Sequence, residues 1–390
     1  MKRAVLLLVA TTLGVLVLAG VALALPAETP DNTPMVDGPV RGIAQVGNNV
    51  WVVGNFDRVE RRDGSLVDNV RNVAVFDAAT GQYKDIAPML GGPTAVVRDV
   101  TPYGSSVVIG GSFGGPSGTQ KNLVRLDGAT GAVVRWYNSP ALQSVLAAPE
   151  LGRVYGGGVG LSAFDAAGGQ KLWTRSPTAV DPSLRSHATT AGYRDLELEG
   201  STIWAACACD TIDGSPAKAL ARLNTEGIHD ASYVPKSTGV AAFGISVLNA
   251  NGALYLAAGG NDFLARYDKA DGGRVWWRDT SGSAQAVEEM DGKLVVGGHF
   301  WEVADNPADR CGFRSSNNAA TLDPFGECQT RHGLAVYSFG GTLDPGWDPM
   351  LSGKYNLAWA LHPQGTTLYV GGEYLRVNGI VQSNFARFSG

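Results

Sequence analysis

The chain has 390 residues, 52 of them glycine, with 17% charged side chains, a formal net charge of -5 and a pI near 5.6. An acidic chain with no Lys/Arg run beyond its first three residues is not a general nucleic-acid binder, which needs a basic stripe against phosphates. Abundant glycine, without sustained helical periodicity after the N-terminus, places the chain in the all-β class.

Taken in order, Met1-Lys2-Arg3 is a short basic head before an uncharged apolar run from Ala4 to Leu25. Ala22-Leu23-Ala24 has the small-x-small pattern after which a signal peptidase cuts. Residues 1–24 are therefore read as a cleaved export signal, with an uncleaved membrane anchor as the alternative. Either reading puts the rest of the chain outside the cytoplasmic membrane, secreted or on the cell surface, with membrane contact only through that segment. Residues 25–39, with prolines at 26, 30 and 34, read as a linker leading into a strand.

From residue 40 to 390 one apolar strand ending in small residues keeps returning. Val107-Val108-Ile109-Gly110-Gly111-Ser112-Phe113, Leu294-Val295-Val296-Gly297-Gly298-His299-Phe300 and Leu368-Tyr369-Val370-Gly371-Gly372-Glu373-Tyr374 are the clearest copies. Val50 to Phe56 is close to them, and Val154 to Gly158, Ile203 to Cys207 and Leu254 to Ala258 are weaker. The seven copies recur at intervals averaging about fifty residues, a period of propeller or solenoid repeats. A further strand closes in an Asp-x-x-Thr-Gly turn, as at Asp77 to Gly81 and Asp127 to Gly131, where the Asp bonds its own backbone and the Gly takes positive φ. A fourth strand then carries Trp136, Trp173, Trp276 or Trp347, read as packing between repeats.

Four strands per repeat predict an all-β fold of seven antiparallel blades, a single seven-bladed β-propeller over residues 40–390 with a polar insertion at 301–333. Strands packed between two neighbours are apolar on both faces. The last repeat stops at its third strand, Asn384-Phe385-Ala386-Arg387-Phe388, so an N-terminal strand within Thr33 to Gly38 is expected to supply the fourth and close the ring.

The glycine doublet, the Asp-x-x-Thr-Gly turn and the later Trp resemble kelch-type propellers, and the spacing from Asp127 to Trp136 is similar to quinoprotein-like propellers. Over about residues 40–390 the chain resembles secreted bacterial propellers built from short Tyr-Val-Gly-Gly-x-Phe tandem repeats. That resemblance implies the fold and leaves the activity open, because one scaffold hosts unrelated functions. Quinoprotein dehydrogenases carry adjacent cysteines and a calcium-binding carboxylate set, whereas this chain has Cys207-Ala208-Cys209, so pyrroloquinoline quinone is not expected.

Chemistry-bearing motifs are few. Gly110-Gly111-Ser112-Phe113-Gly114 fits a hydrolase elbow by letter, but it is one repeat copy among several and no catalytic role is assigned to Ser112. Four cysteines in an exported chain are expected to pair. Cys311 and Cys328 flank the polar insertion and form the expected disulfide; Cys207 and Cys209 either bridge across a turn or bulge at Ala208 or stay as buried thiols.

The blade-to-blade connections and the loops after the glycine doublets share one face, which also carries the long loops 57–70, 176–192 and 301–332. Arg41, Arg98, Asp99, Arg194 and Asp195 sit at the starts of the innermost strands, with Gln143 and Gln285 at the equivalent place. His299 and Glu373 follow doublets on the same side, and Trp301 stands at the root of the large loop, suited to stacking on a sugar ring. These residues are the candidate ligand-binding set, able to hold an anionic, sugar-like or peptide ligand. The competing expectation pairs each Arg with an Asp of the adjoining blade as a structural lock. Asp305, Asn306, Asp309, Asn317, Asn318 and Asp323 form a candidate calcium set in the large loop, with no other cofactor or metal expected. These features read as a binding module for an extracellular ligand or protein, with a hydrolase, lyase or quinoprotein-like oxidoreductase and a cell-envelope scaffold as alternatives.

Overall fold

Val107, Val108 and Ile109 are fully buried, and so are Val50 to Val53. A strand with no polar face must be covered on both sides, and that requirement sets the architecture. The computed structural model describes residues 25–115, 121–179, 191–236, 242–311, 328–354 and 357–390; the expected export signal at 1–24 lies outside them.

Among the described residues there are seven main antiparallel sheets, whose strands follow sequence order from the first strand outward. Their first strands are Val40–Val46, Val96–Tyr103, Leu142–Ala148, Gly192–Glu199, Phe243–Ala250, Ala284–Met290 and Ala358–Gln364. Consecutive sheets share an apolar cluster. Trp51, Val53 and Val75 of the first pack with Val97, Ile109 and Val124 of the second. The same relation runs through the following pairs. It returns to the start, where Val40, Val50 and Val52 meet Ala360, Tyr369 and Phe385 of the seventh sheet. The recurrent tryptophans belong to these seams: Trp136, Trp276 and Trp173 flank them and Trp347 lies within one.

The two glycines of the doublet serve different contacts. A Cβ on Gly110 would stand 2.4 Å from Val145 Cγ1 of the next sheet, and one on Gly371 would stand 2.3 Å from Val40 Cγ1. On the second glycine the obstacle is backbone of the same sheet: 2.0 Å to Pro39 O from Gly54, 2.3 Å to Val96 O from Gly111 and 1.8 Å to Leu357 O from Gly372. Side chains are thus excluded by a neighbour in one case and by the sheet's own first strand in the other.

Four of the main sheets have four strands and three have three. In the three shorter sheets another segment takes the outer place. Asp230 N–H donates to Arg222 O, and Asp344 N–H donates to Val336 O. In the seventh sheet Ala27 N–H donates to Ser389 O and Asp31 N–H to Arg387 O. The chain against the last strand is therefore 27–31, and the expectation for Thr33 to Gly38 is corrected. Met35–Val36 instead pairs with Arg58–Glu60 of the 57–70 loop.

The reason is a rule visible elsewhere in the molecule. Pro177–Ala179 pairs with Thr211–Ile212, Thr280 bridges Val303, and Leu351–Ser352 pairs with Arg376–Val377. Each is a connection entering a sheet, laid against the hairpin that follows that sheet's second strand. Met35–Val36 is the connection entering the first sheet, so the outer position of the seventh falls to residues further upstream. Trp347 Nε1 donates to Pro26 O, and Arg387 pairs with Asp31 there.

Cys311 is bonded to Cys328, with Cα atoms 5.6 Å apart, and ties the ends of residues 312–327, which lie outside the described set together with Asn317, Asn318 and Asp323. Cys207 is bonded to Cys209 across a Cα separation of 5.3 Å, and both are buried. Asp309 accepts from Asn306 N–H and closes the loop on itself, whereas Asp305 accepts from Leu343 N–H and ties the loop to the outer segment of its sheet. Ser112 ends the strand Ser106–Ser112, and the next element described is the strand Asn122–Asp127.

Candidate functional site

Every first strand breaks its register once against the second strand beside it. The breaks fall at Val40/Gly42, Val97/Asp99, Leu142/Ser144, Tyr193/Asp195, Gly244/Ser246, Ala284/Ala286 and Ala358/Ala360. A bulge leaves one residue unpaired and re-aims its side chain. The residues passed over are Arg41, Arg98, Gln143, Arg194, Ile245, Gln285 and Trp359, and all seven line a single central cavity of 710 Å³. The second glycine of each doublet lies opposite the bulge, where it leaves room for the carbonyl just ahead of it.

The cavity brings together six of the eight candidate residues: Arg41, Arg98, Asp99, Arg194, Asp195 and His299. Its wall does not include Trp301 or Glu373 among the described residues. Trp301 packs edge-on against His332, 4.6 Å between ring centres, so it props the large loop. Glu373 donates its N–H to Leu357 O, and its charge acts on Arg41 from outside the wall.

The expected pairing of Arg with Asp across sheets is not what the residues do. Asp99 accepts from its own neighbour Val100 N–H and from Val145 N–H of the next sheet, both at 2.7 Å. Asp195 does the same with Leu196 N–H at 2.8 Å and Val247 N–H at 2.9 Å. The aspartates are staples between sheets, bound to backbone, because they follow the bulge and turn toward the neighbouring strand. The arginines turn the other way. Among the described residues Arg41, Arg98 and Arg194 form no ion pair, and Arg41 Nε and Nη1 are buried without a hydrogen-bond partner.

Aromatic rings brace two of them. Arg41 lies over Trp359 at 3.4 Å from the ring centre, and Arg194 lies 5.6 Å from Phe243. Stacking of this kind holds a guanidinium in place while leaving its N–H edge for another group. Burial, followed by the charge of Arg98, lowers Arg41 to about 9. The same two causes lower Arg194, and burial lowers Arg98. His299 Nε2 accepts from Ser283 N–H at 3.3 Å, with Nδ1 3.2 Å from the Gln285 amide. Its pKa is lowered by burial, against the opposing charge of Asp262.

No protein-family profile and no curated protein matches this chain. Solved structures do. The computationally designed Ika8 protein aligns over 93% of this chain and 100% of its own at 11% identity, with a TM-score of 0.50. BamB from Moraxella catarrhalis aligns over 93% and 99% at 11% identity with a TM-score of 0.52. Raptor from Chaetomium thermophilum gives a TM-score of 0.57 at 10% identity, over 93% of this chain but only 28% of Raptor. BamB is a β-propeller and Raptor carries a WD40 fold. The fold here is a β-propeller.

Deeper in the propeller the wall changes sign. Glu197 and Glu288, on the same first strands as Arg194 and Gln285, line the cavity below an aliphatic belt that includes Ile43, Val100, Val145, Leu196 and Leu361. Both acids are half-buried and face the cavity. Burial pushes Asp99 up to about 7, and burial with the charge of Asp195 pushes Glu197 up to about 8. Glu288 is raised well above the carboxylate range by burial and then by Glu197, Asp195 and Asp99.

Groups whose pKa is raised on folding bind more protons in the folded state, so they make stability fall as pH rises from the ordinary carboxylate range through about 7 and 8. Glu197→Gln is expected to raise the melting midpoint more at pH 8 than at pH 5. Equal shifts at the two pH values in a melting experiment would mean that the lower wall does not hold its acids in the protonated form.

Ile245, Trp359, Glu197 and Glu288 were not among the sequence candidates. A signal did exist: lining up the repeats on the glycine doublet puts Ile245 and Trp359 in the column of Arg41, Arg98 and Arg194. The two glutamates share a column three positions further along.

Proposed function

We propose that the chain is an exported, seven-bladed propeller, closed through residues 27–31, that binds an anionic extracellular ligand in its central cavity. The observation that carries this is the ring of Arg41, Arg98 and Arg194, three guanidiniums aimed by bulges into one cavity with no ion pair among the described residues. Like charges held in one partly buried cavity raise the energy of the site, and an oxyanion accepting from them lowers it. Seven main sheets, with a seam between the first and the last, support the blade count and closure. The signal-like sequence of residues 1–24 supports placement outside the cytoplasmic membrane.

A binding role fits better than catalysis. Glu373 lies off the wall, and Asp99 and Asp195 are both occupied as staples between sheets. A second reading, a protein partner on the same face, is favoured by Leu66, Ile380 and Val381, which stay 52%, 44% and 48% exposed on hairpins joined by Arg62. The test is thermal melting with phosphate, succinate and tricarballylate against chloride at matched ionic strength. A ligand at a hundred times its Kd stabilises by about 2.7 kcal/mol. Midpoints that follow ionic strength alone, with no dependence on the anion, would overturn the anion reading and leave the protein partner.

A further inference from the structure

We propose that the cavity is built for a bipolar ligand: an oxyanion held by Arg41, Arg98 and Arg194, an ammonium group at Glu197 and Glu288, and an alkyl spacer along the aliphatic belt between. This rests on the anion reading and adds the second pole.

Arginines and glutamates line one cavity without meeting. Among the described residues Arg41, Arg98 and Arg194 make no ion pair, and neither Glu197 nor Glu288 makes an ion pair or a hydrogen bond. An arginine and a glutamate lower their energy by pairing, so a fold that keeps them apart has a geometric reason for doing so. Here the reason is the backbone. The arginines sit on the bulges, whereas the glutamates sit beyond the bulge on strands whose pairing is regular again from Asp195 to Glu199 and from Ala286 to Met290. Glu197 stands three positions past Arg194 and Glu288 three past Gln285, and the two regular residues beyond each bulge rise about 7 Å, which sets the acids at a lower level.

Between the two levels lie Ile43, Val100, Val145, Leu196 and Leu361, one from each of five sheets. An apolar collar between two charged levels offers nothing to a compact polyanion, which would reach only the upper ring. It suits a methylene chain, which loses water on entering it. Charge coupling points the same way: burial first, and then repulsion from Glu197, Asp195 and Asp99, opposes ionisation of Glu288. A cation there relieves that repulsion.

The matched probes are six-carbon ω-aminohexanoate and heptanoate, which differ only in ending in an ammonium or a methyl group. The experiment is isothermal titration of the full exported chain at pH 7, repeated in buffers of different ionisation enthalpy. The expected result is that aminohexanoate binds at least about tenfold tighter than heptanoate, the increment for one charge-assisted contact. Its binding should also release protons, because the ammonium pulls the glutamates into their ionised form. Glu288→Gln is expected to erase the increment and the proton release while leaving heptanoate affinity within about twofold; Glu197→Gln serves as the second variant if Glu288→Gln does not fold. Equal affinities for the two probes, unaffected by either substitution, overturn the bipolar proposal and leave the anion reading standing. Binding of neither probe, with no response to tricarballylate either, overturns both.

Discussion

In an Arg98→Gln protein, affinity for tricarballylate is expected to fall by about tenfold to a hundredfold while the melting midpoint without ligand rises. A charge-assisted hydrogen bond from a guanidinium to a carboxylate contributes about 1.5–3 kcal/mol, which sets the size of the loss. The gain in stability comes from position: Arg98 lowers the protonation of both Arg41 and Arg194 by its charge, and no anionic partner of its own among the described residues offsets that. Removing it relaxes two neighbours at once. Opposite movement of affinity and stability is the signature of a site selected for a ligand. Titration and melting of the same variant decide the matter, and a variant that loses stability and keeps affinity would show Arg98 to be structural.

Gly372→Ala is expected to destabilise the fold by about 3 kcal/mol or more, whereas Gly365→Ala costs only about 1 kcal/mol. The new methyl at Gly372 would sit 1.8 Å from Leu357 O, and a backbone carbonyl already bonded to Glu373 N–H cannot step aside as a side-chain tip does. At Gly365 nothing lies within 4 Å, and the cost is that of holding alanine at φ +56°. Urea midpoints separate the two. Equal shifts would mean that the close approach at the doublet is relieved cheaply, and steric exclusion would no longer explain the glycines.

Fold class was readable because it rests on pattern. Val107 to Gly111 and its copies repeat with no polar face, and buried strands alone satisfy that pattern. The position of the arginines was readable too, since Arg41, Arg98 and Arg194 open their strands. Their direction was not, because it depends on a one-residue register break that no residue type announces. Without the break, the alternation of a regular strand sends Arg98 and Asp99 to opposite faces and invites a pairing of Arg with Asp across the seam. With it, Asp99 reaches Val145 N–H and Arg98 faces the cavity. Trp359 and Ile245 escaped notice for a related reason: apolar residues on an apolar strand look like core until the backbone singles them out. The closing segment was misplaced by a few residues because Met35–Val36 has the composition of a strand, and its partner is fixed by the hairpin geometry at Arg58–Glu60.

Because the glycines, the aliphatic belt and the aspartate staples make the frame, the bulges release the seven passed-over positions from the task of folding. They can be rewritten one at a time, as letters are changed in a fixed line of type. In this chain the line runs Arg, Arg, Gln, Arg, Ile, Gln, Trp. At 10–11% identity, whole-chain comparison with other propellers reports the frame and is blind to that line. Two propellers that share those seven letters, at whatever overall identity, are the ones to test against the same ligand.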